Sequence, residues 1–272
     1  MKYIDIHCHL DFPDYSTEFA EVLERMKEKE VGAITIGTDL ESSKKAVKIA
    51  ENNENIWACI GIHPDEAVSV PSPEQGEGYA KRGVGFSEEV FGTLVQSPKV
   101  VAIGECGLDY FRLDKDPAFA ELQRGKQKKL FIQQIEFALR HNKPLMLHCR
   151  NSYDDVLDIL ERYENLRGNA HFFAGNIEQA KRFLDLGFTM SFTGVITFTH
   201  DYDEVIKFLP ISSIMSETDA PFVAPVPHRG KRNEPGYVVE VVKKMAEIRG
   251  ENEEFLQLEI LKNAKRVFGL PN

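Results

Sequence analysis

The sequence predicts an α/β fold of the (β/α)8 type, closed as a barrel and forming a single domain over residues 1–272. Three observations predict it. Eight short apolar runs of strand length recur along the chain, helix-period stretches separate most of them, and 272 residues is a length at which such barrels form one unit. The runs are Tyr3–Cys8, Ala33–Gly37, Ile56–Ile62, Val100–Glu105, Pro144–Cys149, Asn169–Phe173, Phe188–Phe192 and Ser213–Glu217. Closing eight strands removes both exposed sheet edges, which favours the barrel over an open doubly wound sheet; periodicity alone leaves that second architecture open.

The helical stretches follow from spacing. Phe131, Ile135, Ala138 and Leu139 recur along one face, and Ile260, Ala264, Val267 and Phe268 repeat the pattern near the end. Helix starts are expected at Ser16 or Thr17, at Ser87 before Glu88-Glu89, and at Asn176 before Ile177-Glu178. The segment Pro64–Phe86 breaks the rhythm with Pro64, Pro71, Pro73 and four glycines. It reads as a long loop over the barrel mouth, with at most a short helix. No linker or low-complexity tract divides the chain.

A composition of 42% hydrophobic and 28% charged residues excludes bulk disorder and collagen-like repeats. No run approaches the roughly 18 apolar residues of a membrane span, and Asp5 and His7 interrupt the opening stretch, so it is not a secretory leader. The cysteines at 8, 59, 106 and 149 have no CxxC spacing and lie inside apolar runs, as reduced buried thiols of a cytoplasmic protein would. A net charge of −10 disfavours non-specific polyanion binding unless positive charge is gathered in one place.

The chemistry begins at Asp5-Ile6-His7-Cys8-His9. Side chains alternate along a strand, so His7 and His9 share one side and can chelate a single ion, while Cys8 points away. Alone, that pattern is equally a matter of chance. Glu105, His148 and His171, however, each end an apolar run, and Asp219 follows Ile-Met-Ser-Glu-Thr. The C-terminal ends of parallel barrel strands converge on one mouth, so these groups, from strands 1, 4, 5, 6 and 8, should meet. Buried unpaired imidazoles and carboxylates are costly, and a metal offsets that cost. His63, in Gly-Ile-His-Pro, joins the ring either as a phosphate contact or as a cap of the turn before Pro64. Gly104, Gly107 and Gly175 would let backbone pass near the ions. His141 and His200 are expected outside the site.

Positive charge is expected at the same mouth. Arg112 follows strand 4, Arg150 follows strand 5, and Arg229-Gly230-Lys231-Arg232 follows strand 8, so phosphates flanking a scissile bond would find arginine partners. Tyr110, Phe111 and Phe222 lie on these loops and offer faces for stacking bases.

The set D-I-H-C-H-L-D, G-I-H-P, G-E-C-G-L-D-Y, L-H-C-R, A-H-F-F-A-G and E-T-D-A-P-F-V followed by R-G-K-R-N-E-P resembles the TatD family of metal-dependent nucleases, within the amidohydrolase-like barrels. The resemblance runs from Tyr3 to the final helix. It implies that His7, His9, Glu105 and Asp219 hold one divalent ion (Mg²⁺, Mn²⁺ or Zn²⁺), and that Glu105, His148 and His171 hold a second, with Glu105 bridging. It implies a deoxyribonuclease, often a 3′-end exonuclease, although some relatives are assigned D-aminoacyl-tRNA deacylation. Phe172-Phe173-Ala174-Gly175 departs from the more usual Cys-Phe-Ser-Gly, and the Pro64–Phe86 loop is longer than typical. Two ions about 3.5–4 Å apart ease deprotonation of the attacking water and seat the phosphoryl oxygens. Glu105, Asp219 and His63 are then the expected catalytic groups, with Asp219 accepting the proton. His63, Arg112, Arg150, Arg229 and Arg232 are the expected substrate contacts. The expected partner is DNA, with RNA or aminoacyl-tRNA as alternatives, and neither a membrane nor an obligate protein partner is expected. The competing readings are a dinuclear hydrolase of carboxylic esters or amides, and a non-catalytic nucleic-acid-binding barrel, which has no need of this residue set.

Overall fold

The computed structural model describes residues 1–67 and 86–271. Its eight strands are β1 (Tyr3–Cys8), β2 (Val31–Ile36), β3 (Ile56–Ile60), β4 (Val100–Asp109), β5 (Leu145–Arg150), β6 (Gly168–Ala170), β7 (Thr189–Phe192) and β8 (Ile214–Ser216). They lie side by side in sequence order, each parallel to the next. The helices between and after them are α1 (Phe19–Glu28), α2 (Leu40–Glu51), α3 (Pro64–Ala67), α4 (Glu88–Leu94), α5 (Pro117–Arg140), α6 (Tyr153–Leu160), α7 (Ile177–Asp185), α8 (Asp203–Phe208), α9 (Val238–Arg249) and α10 (Glu253–Phe268). The seam between β8 and β1 is closed by single bonds: Asp219 N donates to His7 O at 2.9 Å and His9 N to Ala220 O at 2.8 Å. Beneath them the buried Asp5 carboxyl accepts from His7 N at 3.1 Å, Thr218 N at 2.9 Å and the Thr218 hydroxyl. The architecture is the predicted (β/α)8 barrel.

Alternation along the strands divides the apolar residues between two cores. On β3, Ile56, Ala58 and Ile60 pack with the helix layer, while Trp57 and Cys59 join Ile4, Ile6, Ile34, Ile36 and Met146 on the opposite face. That inner set meets Val267 and Phe268 at the end of α10 and Leu270 just beyond it. Both faces of the strands are therefore dry, as a parallel sheet covered on each side requires. Cys8 belongs to the outer core, its Sγ 3.6 Å from Ile34 O and turned from its histidine neighbours. All four cysteines are buried and free. Among the described residues, no helix is long and apolar enough to cross a membrane.

Several boundaries differ from expectation. β4 runs four residues past Glu105 because the strand bulges there instead of ending. Ile103 pairs with Leu145 and Cys106 with Leu147, leaving one extra residue on β4. The bulge depends on bare α-carbons: a Cβ at Gly104 (φ +147°) would lie 2.4 Å from Met146 O, and one at Gly107 (φ +142°) 2.1 Å from His148 O. β1 carries a similar shift between Asp5 and Cys8, at His7. β6 and β8 end earlier than predicted, since the chain leaves the ladder for left-handed backbone at Phe172 (φ 45°) and Asp219 (φ 55°). α1 starts at Phe19, after a short 3-10 turn over Pro13–Tyr15, and Ser16 bonds back to Pro13 O instead of capping the helix. Asn176 does cap α7, in a reciprocal box with Gln179. Pro64–Ala67 forms one helical turn, and the predicted loop over 68–85 lies outside the described residues.

Candidate metal centre

At the C-terminal mouth the two oxygens of Glu105 face different partners. Oε2 lies 3.4 Å from His7 Nε2, whereas Oε1 lies 2.7 Å from His148 Nδ1 and 2.9 Å from His171 Nε2. Asp219 Oδ1 closes the first side, 3.5 Å from His9 Nε2 and 3.7 Å from His7 Nε2. His148 Nδ1 and His171 Nε2 are 3.2 Å apart, and His63 Nε2 lies 3.6 Å from Glu105 Oε1. The bulges on β1 and β4 aim His7 and Glu105 inward, and the left-handed residue at 219 turns its carboxylate back over them.

These side chains fit a divalent ion. His7 is fully buried, and among the described residues neither of its ring nitrogens has a hydrogen-bond partner. Leaving such a ring unsatisfied is costly, while ligation uses one nitrogen outright. Ligand atoms of His7, His9 and Glu105 lie within 4.8 Å of one another, as do those of His63, Glu105 and His148. A donor set of imidazole and carboxylate without thiolate suits Zn²⁺, Mn²⁺ or Mg²⁺.

The electrostatics point the same way. Burial pushes the Glu105 carboxyl up, but the imidazoles of His171, His63 and His7 and the bond from His148 hold it well below the usual range. Asp219 is likewise held low against burial, by His9, His7 and His171. Despite burial, Asp109 and Glu105 raise His148, and Glu105 and Glu217 raise His171 well above the ordinary value. Asp219 raises His9 against the same penalty. Burial and the nearby His171 instead lower His7. Burial, with His148 beside it, takes His63 down to about 3, so its ring is neutral. Carboxylates stripped of protons beside imidazoles that hold them mark a place prepared for positive charge.

Three carboxylates escaped the sequence reading. Asp109, at the end of β4, lies 3.1 Å from His148 Nε2; Glu217 lies 3.4 Å from His171 Nδ1; Asp65 donates its backbone N–H to His63 Nδ1 at 3.2 Å. Asp109 and Glu217 lay inside motifs already noted, G-E-C-G-L-D-Y and E-T-D, four residues after Glu105 and two before Asp219, and Asp65 directly follows G-I-H-P, two residues after His63.

A cavity of about 710 Å³ opens over this cluster, bordered by Phe12, Arg112, Arg150, Phe172 and Phe222. Arg112 Nη1 sits 3.6 Å from Asp65 Oδ2, and the Arg150 guanidinium stacks 3.8 Å from the exposed Phe111 ring. Arg229 and Arg232 do not border the cavity. Arg229 stacks 3.6 Å over Phe198, and Arg232 binds Glu18 and Glu234 at 2.9 Å each and Asp14 O at 2.7 Å. Arg232 is thus drawn away from the mouth by Glu18 and the Asp14 carbonyl, just before α1, and by Glu234. Tyr110 is also engaged, its hydroxyl donating to Asp155 at 2.6 Å, while Phe111 and Phe222 remain 57% and 46% exposed. Two other histidines have local partners: His141 ends α5 against Phe137, and His228 stacks on Tyr237.

Residues 4–269 match the family model described as TatD related DNase. The Bacillus subtilis protein named uncharacterized metal-dependent hydrolase YabD is 36% identical over 269 residues, spanning 97% of this chain and 98% of that one. The Klebsiella pneumoniae protein named 3′-5′ ssDNA/RNA exonuclease TatD is 30% identical over 276 residues, spanning 98% and 97%. Among solved structures, the TatD homolog YjjV of Escherichia coli superposes with a TM-score of 0.83 at 29% identity, covering 99% of both chains. With a matching model over nearly its whole length, the chain belongs to the TatD-related DNase family of metal-dependent hydrolases.

Proposed function

We propose that the protein is a deoxyribonuclease that removes nucleotides from a 3′ end with the help of two divalent cations. The observation carrying this reading is the division of Glu105, one oxygen toward His7 and the other toward His148 and His171. His7, His9, Glu105 and Asp219 would hold one ion, and Glu105, His148 and His171 the other. Two cations there would supply Lewis acidity, seating a phosphoryl oxygen and making water easier to deprotonate. The exonuclease name of the Klebsiella pneumoniae relative supports the substrate class. Four buried free cysteines suit a reducing, cytoplasmic setting.

The remaining roles belong to this chain's own groups. Asp219, held deprotonated between His7 and His9, accepts the proton of the attacking water. His63 Nδ1 accepts the Asp65 N–H, so its proton sits on Nε2, beside Glu105, where it can donate to a phosphoryl oxygen. Arg112 and Arg150 bind flanking phosphates at the rim, concentrating positive charge on a chain whose net charge is −10. Phe222 and the face of Phe111 opposite Arg150 are offered to unpaired bases, which favours a single strand.

The test offers purified protein, with Mg²⁺ or Mn²⁺, a 3′-labelled single strand and, separately, a D-aminoacyl-tRNA. Release of mononucleotides is expected; cleavage of the acyl bond alone overturns the reading in favour of a carboxylic ester hydrolase. Arg150→Ala should raise KM for the strand about tenfold and make its log–log salt slope shallower by about 0.7, the loss of one single-strand phosphate contact. Arg232→Ala should leave KM unchanged and lower the melting temperature, because its partners are the chain's own acids. An Arg232→Ala enzyme with impaired KM and normal stability would return that residue to the phosphate track.

A further inference from the structure

We propose that Asp109 and Glu217 are positioning residues for the ion on the Glu105–His148–His171 side, each carboxylate facing the outer nitrogen of one imidazole. The inference rests on the two-ion reading above. It concerns carboxylates that face those two histidines on the side opposite Glu105; Glu217 also has an oxygen within 4.8 Å of a His7 ring nitrogen, and Asp109 one within 4.8 Å of His63.

Asp109 Oδ2 meets His148 Nε2 at 3.1 Å, leaving Nδ1 to face Glu105. Both the carboxylate and its backbone are held. Its Oδ1 accepts Phe111 N at 2.8 Å, and its own backbone N–H and C=O are clamped by the buried Gln127 amide of α5, at 2.8 Å each. Glu217 is fully buried just past β8. Its Oε1 accepts Phe172 N at 2.6 Å and stands 3.4 Å from His171 Nδ1, an ion-pair approach to a ring nitrogen that makes no hydrogen bond among the described residues, leaving Nε2 to face Glu105. Its Oε2 accepts the Ser191 hydroxyl at 2.6 Å, and Ser191 Oγ accepts Asn169 Nδ2 at 2.6 Å. A relay from β6 through β7 therefore fixes Glu217 behind His171. The same bond to Phe172 N pins the left-handed residue that follows His171.

The other side of the centre is built differently. His9 Nδ1 has only the neutral Ile36 carbonyl, at 3.3 Å, and neither ring nitrogen of His7 has a hydrogen-bond partner among the described residues. An imidazole backed by a carboxylate is a more basic and better oriented ligand than one backed by a carbonyl, and losing such a partner costs about 10- to 100-fold in metal affinity. The two sides should thus respond differently to the same kind of substitution, and only one of them should depend on Asp109 and Glu217.

Asp109→Asn and Glu217→Gln keep the shape and remove the charge. Mn²⁺ binding, measured by calorimetry and by the electron paramagnetic resonance of bound ion, should show one of two ions weakened about 10- to 100-fold and the other within about threefold. Excess Mn²⁺ should then restore kcat, with KM for the strand unchanged. In Zn²⁺-loaded protein, the ring ¹⁵N signals of His148 should move in Asp109→Asn, and those of His171 in Glu217→Gln, with His9 unmoved. Unchanged affinities in both variants, or equal weakening of both ions, overturns the assignment. Should Glu217→Gln fail to fold, Asp109→Asn decides alone. A wild-type protein binding fewer than two ions would remove the two-ion reading itself, whereas two bound ions and indifferent variants sink only the present inference.

Discussion

Replacing Glu105 by Ala is expected to abolish hydrolysis, with a loss of at least about a thousandfold, or roughly 4 kcal/mol of barrier. Among the described residues, no other side chain faces both His7 and the His148–His171 pair with separate carboxylate oxygens. Its Oε2 faces His7, while Oε1 takes His148 and His171 and lies near His63. Removing it separates the two proposed ion places and leaves no carboxylate within hydrogen-bond reach of the inner nitrogens of His148 and His171. The fold should survive as a cooperative unit, since Glu105 sits at a bulge whose backbone is set by Gly104 and Gly107. Turnover of a 3′-labelled strand with Mg²⁺ and with Mn²⁺, alongside a thermal melt, checks both halves. Retention of more than a few percent of the rate contradicts the bridging role.

Asp5→Ala should produce the largest loss of stability, about 3 kcal/mol, from the donors it strands. Its carboxyl receives His7 N, Thr218 N and the Thr218 hydroxyl where β1 meets the chain leaving β8, at a fully buried position. At roughly 2–4 °C per kcal/mol for a chain of this size, the melting temperature should fall by about 6–12 °C. Burial pushes the Asp5 carboxyl well above its usual range despite those bonds. Asp5→Asn offers the same acceptor to both amides and a donor to the Thr218 oxygen, so it should cost less than about 1 kcal/mol. Equal destabilisation by Ala and Asn would contradict this account of the seam. Thr218 precedes Asp219, so the Ala variant should also slow turnover.

Strand order, barrel closure and the gathering of His7, His9, Glu105, His148, His171 and Asp219 were legible because each depends on local signals: alternation, apolar run length and a polar residue where the run stops. What was not legible depends on partners distant in the chain. Arg232 looked free in R-G-K-R-N, but its acceptors Glu18 and Asp14 lie more than 200 residues away. Asp109 was hidden because the apolar run stops at Glu105, whereas Gly104 and Gly107 let β4 bend there and continue to Asp109. Glu217 looked like a flank of Asp219, and only the fold shows its oxygens occupied by Phe172 and Ser191.

The kink in β4 also bears on how this enzyme class can be retuned. The depth of Glu105 is dictated by main-chain atoms that crowd out any methyl at positions 104 and 107. A protein engineer seeking a new cation preference therefore has no adjustable screw at the middle of the crater. Freedom to tune lies in the outlying imidazoles and their backers, which side-chain exchange can alter without rebuilding the barrel wall.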